Sequence, residues 1–186
     1  MHLVHHVVAR GADGTRVFHD DHDRLEYLDR LGWVAARHGW RVLAYCLMVN
    51  HTHLLVEAPT RTDLRVGTRR LRRAHGHALA LRHGLPGPAW SSGARPLPIT
   101  TERRFWAVSA YIAANPVDAG LCPTAADWRW SSHPALLGHV PTPPWLDIAR
   151  LLFLLGGVTR TTYARHVAER GRSTKAVAAP WERARR

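Results

Sequence analysis

The stretch "WRVLAYCLMVNHTHLLVEAP", residues 40–59, decides how the chain folds. Two apolar runs, about 41–48 and 51–57, flank Val49 and Asn50, and Pro59 stops the second. The pattern predicts two antiparallel strands joined by a tight turn. Within the second strand, His51 and His53 are two residues apart. Side chains alternate faces along a strand, so the pair shares one face, with Cα atoms roughly 6–7 Å apart. On a helix the same side chains would point to nearly opposite sides. Thr52 points the other way, and burial of that face would require a partner for its hydroxyl. Two readings of the histidines stand: a pair converging on one divalent ion, or two side chains on a solvated face in a chain with 14 histidines. His75 and His77 repeat the spacing, but in a predicted helix.

Working outward, "LVHHVVAR" (3–10) has the β-branched content of a strand and ends at "GADG". A helix follows, capped by Asp20 or Asp21, with Leu25, Leu28 and Leu31 as its predicted apolar face and Gly39 as its stop. Residues 62–83 form a second predicted helix, 84–96 a loop and "LPIT" (97–100) a short strand. Thr100 or Thr101 caps a third helix with Phe105, Val108 and Ile112 on its apolar face. Pro116 is expected to end or kink it. Beyond the "PTPP" link, "WLDIARLLFLLG" and "RTTYARHVAERG" predict two short helices, and the chain after Gly171 predicts a loose basic tail. The order β-α-β-β-α-(β)-α defines an α+β protein with helices on one sheet face. The expected division is a domain over 1–140 and a helical extension with its tail over 141–186.

Composition narrows the partners. Lys+Arg number 26 against 14 Asp+Glu, a net charge of +12, and the pI is near 11.3. Such an excess points to a polyanion, most simply nucleic acid. The longest apolar stretch, "LLFLLGGV" from Leu151, is too short to span a bilayer, and the N-terminus lacks a secretory pattern. No membrane partner and a cytoplasmic, nucleoid-associated location are therefore expected. Cys46 and Cys122 form no CxxC pair, which argues against a cysteine zinc site. Nearly all the basic residues are Arg, which forks onto phosphate and stacks on bases; GC-rich coding accounts for part of that choice.

A histidine pair needs a further ligand and a reactive group. In "AVSAYIAANPVDAGL", Tyr111 and Asn115 are four apart on the predicted third helix and share a face. Asn115 offers an amide oxygen suited to Mg²⁺ or Mn²⁺. By spacing alone, a core tyrosine and a helix-end asparagine before proline is the simpler reading.

Taken together, "YCLMVNHTHLLVE" resembles the histidine–hydrophobic–histidine (HUH) signature of single-tyrosine transposases. "YIAANPVDAGL" followed by "DWRWSS" is similar to the block bearing their catalytic tyrosine. The closest resemblance is to the REP-associated tyrosine transposases (RAYTs), within the insertion-sequence-type enzymes, and covers roughly residues 2–171. It implies a ferredoxin-like antiparallel sheet with helices on one face and a small C-terminal helical extension. It implies His51, His53 and Asn115 as ligands of Mg²⁺ or Mn²⁺. It further implies Tyr111 as the nucleophile that nicks single-stranded DNA, at hairpin-forming repeats, through a covalent 5′-phosphotyrosine. DNA binding would use Arg69, Arg70, Arg72 and Arg73 as an electrostatic strip, Arg95 in the altered 84–96 loop, and Trp90 as a stacking ring in that loop. The protein would act as a monomer or homodimer. A domesticated, non-catalytic DNA-binding protein of the same fold is the alternative, and an unrelated metal-dependent phosphohydrolase a third reading. The chain departs from the family pattern at Val49 (usually Pro), at Thr52 (usually bulky and apolar) and at Asp118 (usually basic).

Overall fold

Residues 40–59 form β2 (Arg41–Leu47) and β3 (His51–Ala58) in a computed structural model of the chain, which describes residues 3–173. β1 (Leu3–Arg10) pairs with the other side of β3, and β4 (Arg95–Pro98) with the other side of β1. All pairings are antiparallel, in the order β2-β3-β1-β4. With α1 (Asp21–His38) between β1 and β2 and α2 (Arg61–His83) between β3 and β4, the unit is a βαββαβ ferredoxin-like sheet. β4 is an edge strand, which is why Pro96 and Pro98 are tolerated there. The opposite edge, β2, is covered by bridges from Ser131 and Leu146, so it exposes no long pairing surface.

The turn between β2 and β3 is held from outside. The amides of Val17 and Phe18 donate to the Val49 carbonyl, and that of Gly11 to the Asn50 carbonyl. Gly11 has no alternative, since a Cβ there would lie 2.0 Å from the Thr15 carbonyl oxygen. This bracing from the 11–18 segment compensates for a turn without proline.

α1 begins where the Asp20 carboxylate accepts the Asp23 amide, and ends at Gly39 in the left-handed conformation. Its buried stripe is Tyr27, Leu31 and Val34 rather than Leu25, Leu28 and Leu31; Leu25 is 52% exposed. The Tyr27 ring reaches β3, where its hydroxyl and that of Thr52 are 3.4 Å apart. That contact gives the buried Thr52 its partner, and burial pushes the Tyr27 phenol up to about 12. α1 and α2 thus cover the Thr52 face of the sheet. α2 buries Leu64, Leu71, His75 and Leu79. His75 is a core residue whose Nε2 lies 2.8 Å from the Val17 carbonyl oxygen.

A third helix, α3 (Glu102–Asp118), lies across the opposite face of the sheet. It is capped by Thr101, whose side chain accepts the Arg104 amide. Of the two expectations for Pro116, an end or a kink, the first does not hold: Pro116 lies inside the helix, which continues to Asp118. The Ala119 amide donates to Asn115 and the Leu121 amide to Pro116. Downstream, α4 (His133–Leu137), absent from the sequence reading, precedes the two expected helices, α5 (Ile148–Leu154) and α6 (Arg160–Ser173). The tail expected after Gly171 starts within α6, which runs to Ser173; from residue 174 on it lies outside the described residues.

The segment after residue 140 is tied to the sheet. The Asp147 amide donates to Val42. Arg150 forks onto Glu57 at 2.7 and 3.0 Å, and the Glu57 side chain is only 2% exposed. A buried carboxylate that loses its cation is strongly penalised. Arg150→Met is therefore expected to destabilise the fold by about 3 kcal/mol, well beyond the loss from a surface ion pair. Urea denaturation of the two proteins measures it, and an unchanged midpoint would contradict this role.

Candidate active site

Register brings the site together. His51 and His53 stand on the β3 face opposite Thr52, with His53 level with Val8 of β1 and Cys46 of β2. Their ring centroids are 4.9 Å apart. On the same face α3 lays the Tyr111 ring edge-on to His53, at 5.3 Å between centroids. Tyr111 is 4% exposed, packed rather than displayed. Asn115, one helical turn on, is buried and hydrogen-bonds His51. The two stretches singled out in the sequence, some sixty residues apart, thus meet at one point.

One member of the cluster was not anticipated. His6 of β1 lies with its Nε2 2.9 Å from His53 Nδ1, rings stacked at 5.2 Å, and 6.2 Å from the Tyr111 ring. A signal was present: "HH" inside the apolar run of residues 3–10 poses the same burial problem as the pair in β3. Only the β1–β3 register shows that the two problems share a solution.

The donor set can be tested against a divalent ion. Among the described residues, no three His, Cys, Asp or Glu side chains form a ligand group, so a site here needs the Asn115 amide beside the two imidazoles. His51 Nδ1 is 2.8 Å from Asn50 Oδ1. An amide oxygen only accepts, so this contact puts the proton on Nδ1 and leaves Nε2 as the nitrogen that could ligate a metal. The His6 contact at Nδ1 fixes the orientation of the His53 ring, as partners of metal-binding histidines do. Burial, reinforced by the charge of Arg10, pushes His51 down to about 4, so the ring is neutral, as a ligand must be. Two neutral imidazole nitrogens and an amide oxygen are donors that a divalent ion could take, the oxygen being the type that suits Mn²⁺ or Mg²⁺.

The same burial has a stability consequence. His51 and His133 are both held down to about 4, chiefly by desolvation. In the unfolded chain they take up protons below about 6.5. Stability is then fully present above that value and declines as pH falls towards 4, by at most about 1.4 kcal/mol per pH unit for each histidine. Urea midpoints in chelator at pH 7 and pH 5 should differ accordingly, the lower at pH 5. A midpoint that rises at pH 5 would contradict the burial of these rings.

The proposed DNA contacts divide. Arg69, Arg70 and Arg73 are exposed along α2. Arg72 is half-buried, and its guanidinium donates to the Ser91 carbonyl, tying the loop to the helix rather than joining the strip. Trp90 is not a loop ring available for stacking: it is 7% exposed and packs against Phe18, Tyr27 and His75. The loop folds inward because this apolar ring fills the space beside α2. Arg95 starts β4, opposite Val8. Trp130 is buried, and Trp128 is anchored through its indole N–H to the Leu47 carbonyl. Among the described residues the exposed indole is instead Trp33, 59% accessible, in a groove of about 770 Å³ between α1 and α2 that also includes Arg30, Arg70, Arg73 and His77. This basic groove and the tyrosine lie on opposite faces of the sheet.

The site is thus a histidine pair on one strand of an antiparallel ferredoxin-like sheet, faced by a tyrosine on a packed helix. The chain belongs to the IS200-like transposase family, whose model matches residues 1–113. Its fold is also similar to the solved structure of a REP-associated tyrosine transposase bound to a REP hairpin. The TM-score is 0.62 at 17% sequence identity, over 76% of this chain and 82% of the other. Among curated proteins none matches the sequence significantly. No helix among the described residues is long and apolar enough to cross a membrane.

Proposed function

We propose that the protein is a metal-dependent enzyme that nicks and rejoins single-stranded DNA at hairpin-forming repeats, with Tyr111 as nucleophile. The observation that supports it best is the convergence of His51, His53, Asn115 and Tyr111 on one face of the sheet. Family membership and the hairpin held by the similar structure agree with it.

His51, His53 and Asn115 would hold Mg²⁺ or Mn²⁺. Such an ion, when bound, neutralises a scissile phosphate and stabilises the leaving 3′ oxygen. The Tyr111 hydroxyl attacks phosphorus as its proton passes to solvent. The bond from phosphorus to the 3′ oxygen breaks, leaving a 5′-phosphotyrosine and a 3′-hydroxyl. The energy of the phosphodiester is kept in the new link, so attack by a 3′-hydroxyl reverses the step and joins a strand without ATP. Duplex pairing would hide the backbone from such a site, which makes a single strand the fitting substrate. A hairpin stem would be held by its phosphates on Arg69, Arg70 and Arg73, with Trp33 placed to stack on an unpaired base.

Incubation with a hairpin-bearing single-stranded oligonucleotide, Mn²⁺ and end labels tests the reading. The label 3′ of the nick should move onto the protein and the 5′ label should leave as a shorter strand. Release of both fragments without a protein-linked species would instead favour a hydrolase. Hairpin binding with neither product under any divalent ion would favour a non-catalytic binder.

A further inference from the structure

The ring of Tyr111 has a neighbour from outside the sheet. The guanidinium of Arg170, near the end of α6, lies over its face at 5.2 Å from the centroid. This is within the range in which a cation is attracted by an aromatic quadrupole. Arg170 is itself anchored: its Nη2 is 3.5 Å from Asp118 Oδ2, and both side chains are largely shielded, at 21% and 23% exposure. Asp118 is seven residues after Tyr111 on α3, hence on the same helix face two turns on. α6 packs along α3. A strut from the C-terminal extension thus closes the side of the tyrosine that the sheet does not reach, while His53 and His6 meet its ring edge-to-face.

We propose that Arg170, held by Asp118, is a positioning residue that fixes the orientation of the Tyr111 ring for attack, so that α6 is part of the catalytic apparatus. The inference rests on Tyr111 being the nucleophile. An attacking oxygen must be aligned with the bond that breaks, and a misplacement of about 1 Å can cost roughly 100-fold in rate. A tyrosine side chain can swing about χ1, and the contacts that limit Tyr111 come from two sides. The histidines belong to the metal pair and its support. Arg170 is the contact with no other assignment. A cation on a long side chain suits the task, because it can pair with a carboxylate and at the same time lie over a ring.

The test is the single-turnover rate of covalent adduct formation at saturating hairpin oligonucleotide and Mn²⁺, with hairpin affinity measured separately. Arg170→Gln should slow the adduct by about 10- to 100-fold with affinity unchanged, and Arg170→Lys should recover most of the rate. Asp118→Asn, which leaves the guanidinium in place but unanchored, should slow it as well. The double variant should be no slower than Arg170→Gln alone. An Arg170→Gln rate equal to or above wild type would overturn the proposal, as would an equal loss in affinity or an Arg170→Lys protein as slow as the Gln variant. The wild-type reaction is the control that separates the two claims. If it forms no adduct, the nucleophile reading has failed; if it does and Arg170→Gln matches it, only the positioning role has.

Discussion

Tyr111→Phe should abolish the covalent protein–DNA adduct and the nick with it, while leaving hairpin binding intact. The substitution removes one oxygen and keeps the ring. The edge contacts to His6 and His53 and the cation over the ring face survive, so the fold is not the variable under test. The three other tyrosines make poor substitutes. Tyr27 and Tyr45 are pushed up to about 12 by burial, and Tyr163 higher still. Tyr27 also lies on the opposite face of the sheet, against Thr52. If Tyr111→Phe stays fully active and releases a fragment with a 5′-phosphate, the attacking group is water and the protein is a hydrolase.

His51→Ala carries the second large effect. His51 is one of two imidazoles in the donor set and the one Asn115 touches. Its loss should lower nicking at limiting Mn²⁺ by about 100-fold or more, since even partners of metal ligands cost 10- to 100-fold when removed. Its signature is a shift in the Mn²⁺ titration: raising the metal should recover part of the activity. Tyr111→Phe, by contrast, should stay inactive at every metal concentration. His51 is also more exposed than His53 and lacks the stacked contact to His6, so its removal disturbs packing less. A His51→Ala protein with an unshifted Mn²⁺ dependence would remove His51 from the ligand set.

Much of the frame was legible in the sequence because it rests on local rules. Strand alternation put His51 and His53 on one face, and helical spacing put Tyr111 and Asn115 together. Punctuation by Pro59, Gly39 and Thr101 set the element ends. What could not be read is what depends on register and on packing between distant elements. His6 joins the site only because β1 pairs with β3 so that His6 falls beside Leu55, one step along from His53. Arg170 reaches Tyr111 only because α6 folds back along α3. Trp90 misled for a related reason: a tryptophan amid Gly, Pro and Ser looks exposed in a sequence, yet the cost of leaving an indole in water draws the loop inward. Pro116 lacks the N–H that would bond the Ile112 carbonyl, yet it sits near the C-terminal end of α3 and the helix runs on to Asp118. Thr52, hard to justify between two histidines, has a plain structural account: it faces the other layer and meets the hydroxyl of Tyr27. Asp118, an acid where a base is usual, sits where it anchors Arg170.

The central claim is that Tyr111 becomes covalently linked to DNA. Mass spectrometry of the wild-type protein, after reaction with a hairpin oligonucleotide and Mn²⁺ followed by protease and nuclease digestion, tests it most directly. The expected product is a nucleotide joined through its 5′-phosphate to the peptide containing Tyr111. A nicked product with that peptide unmodified, or with the nucleotide on another residue, would contradict it.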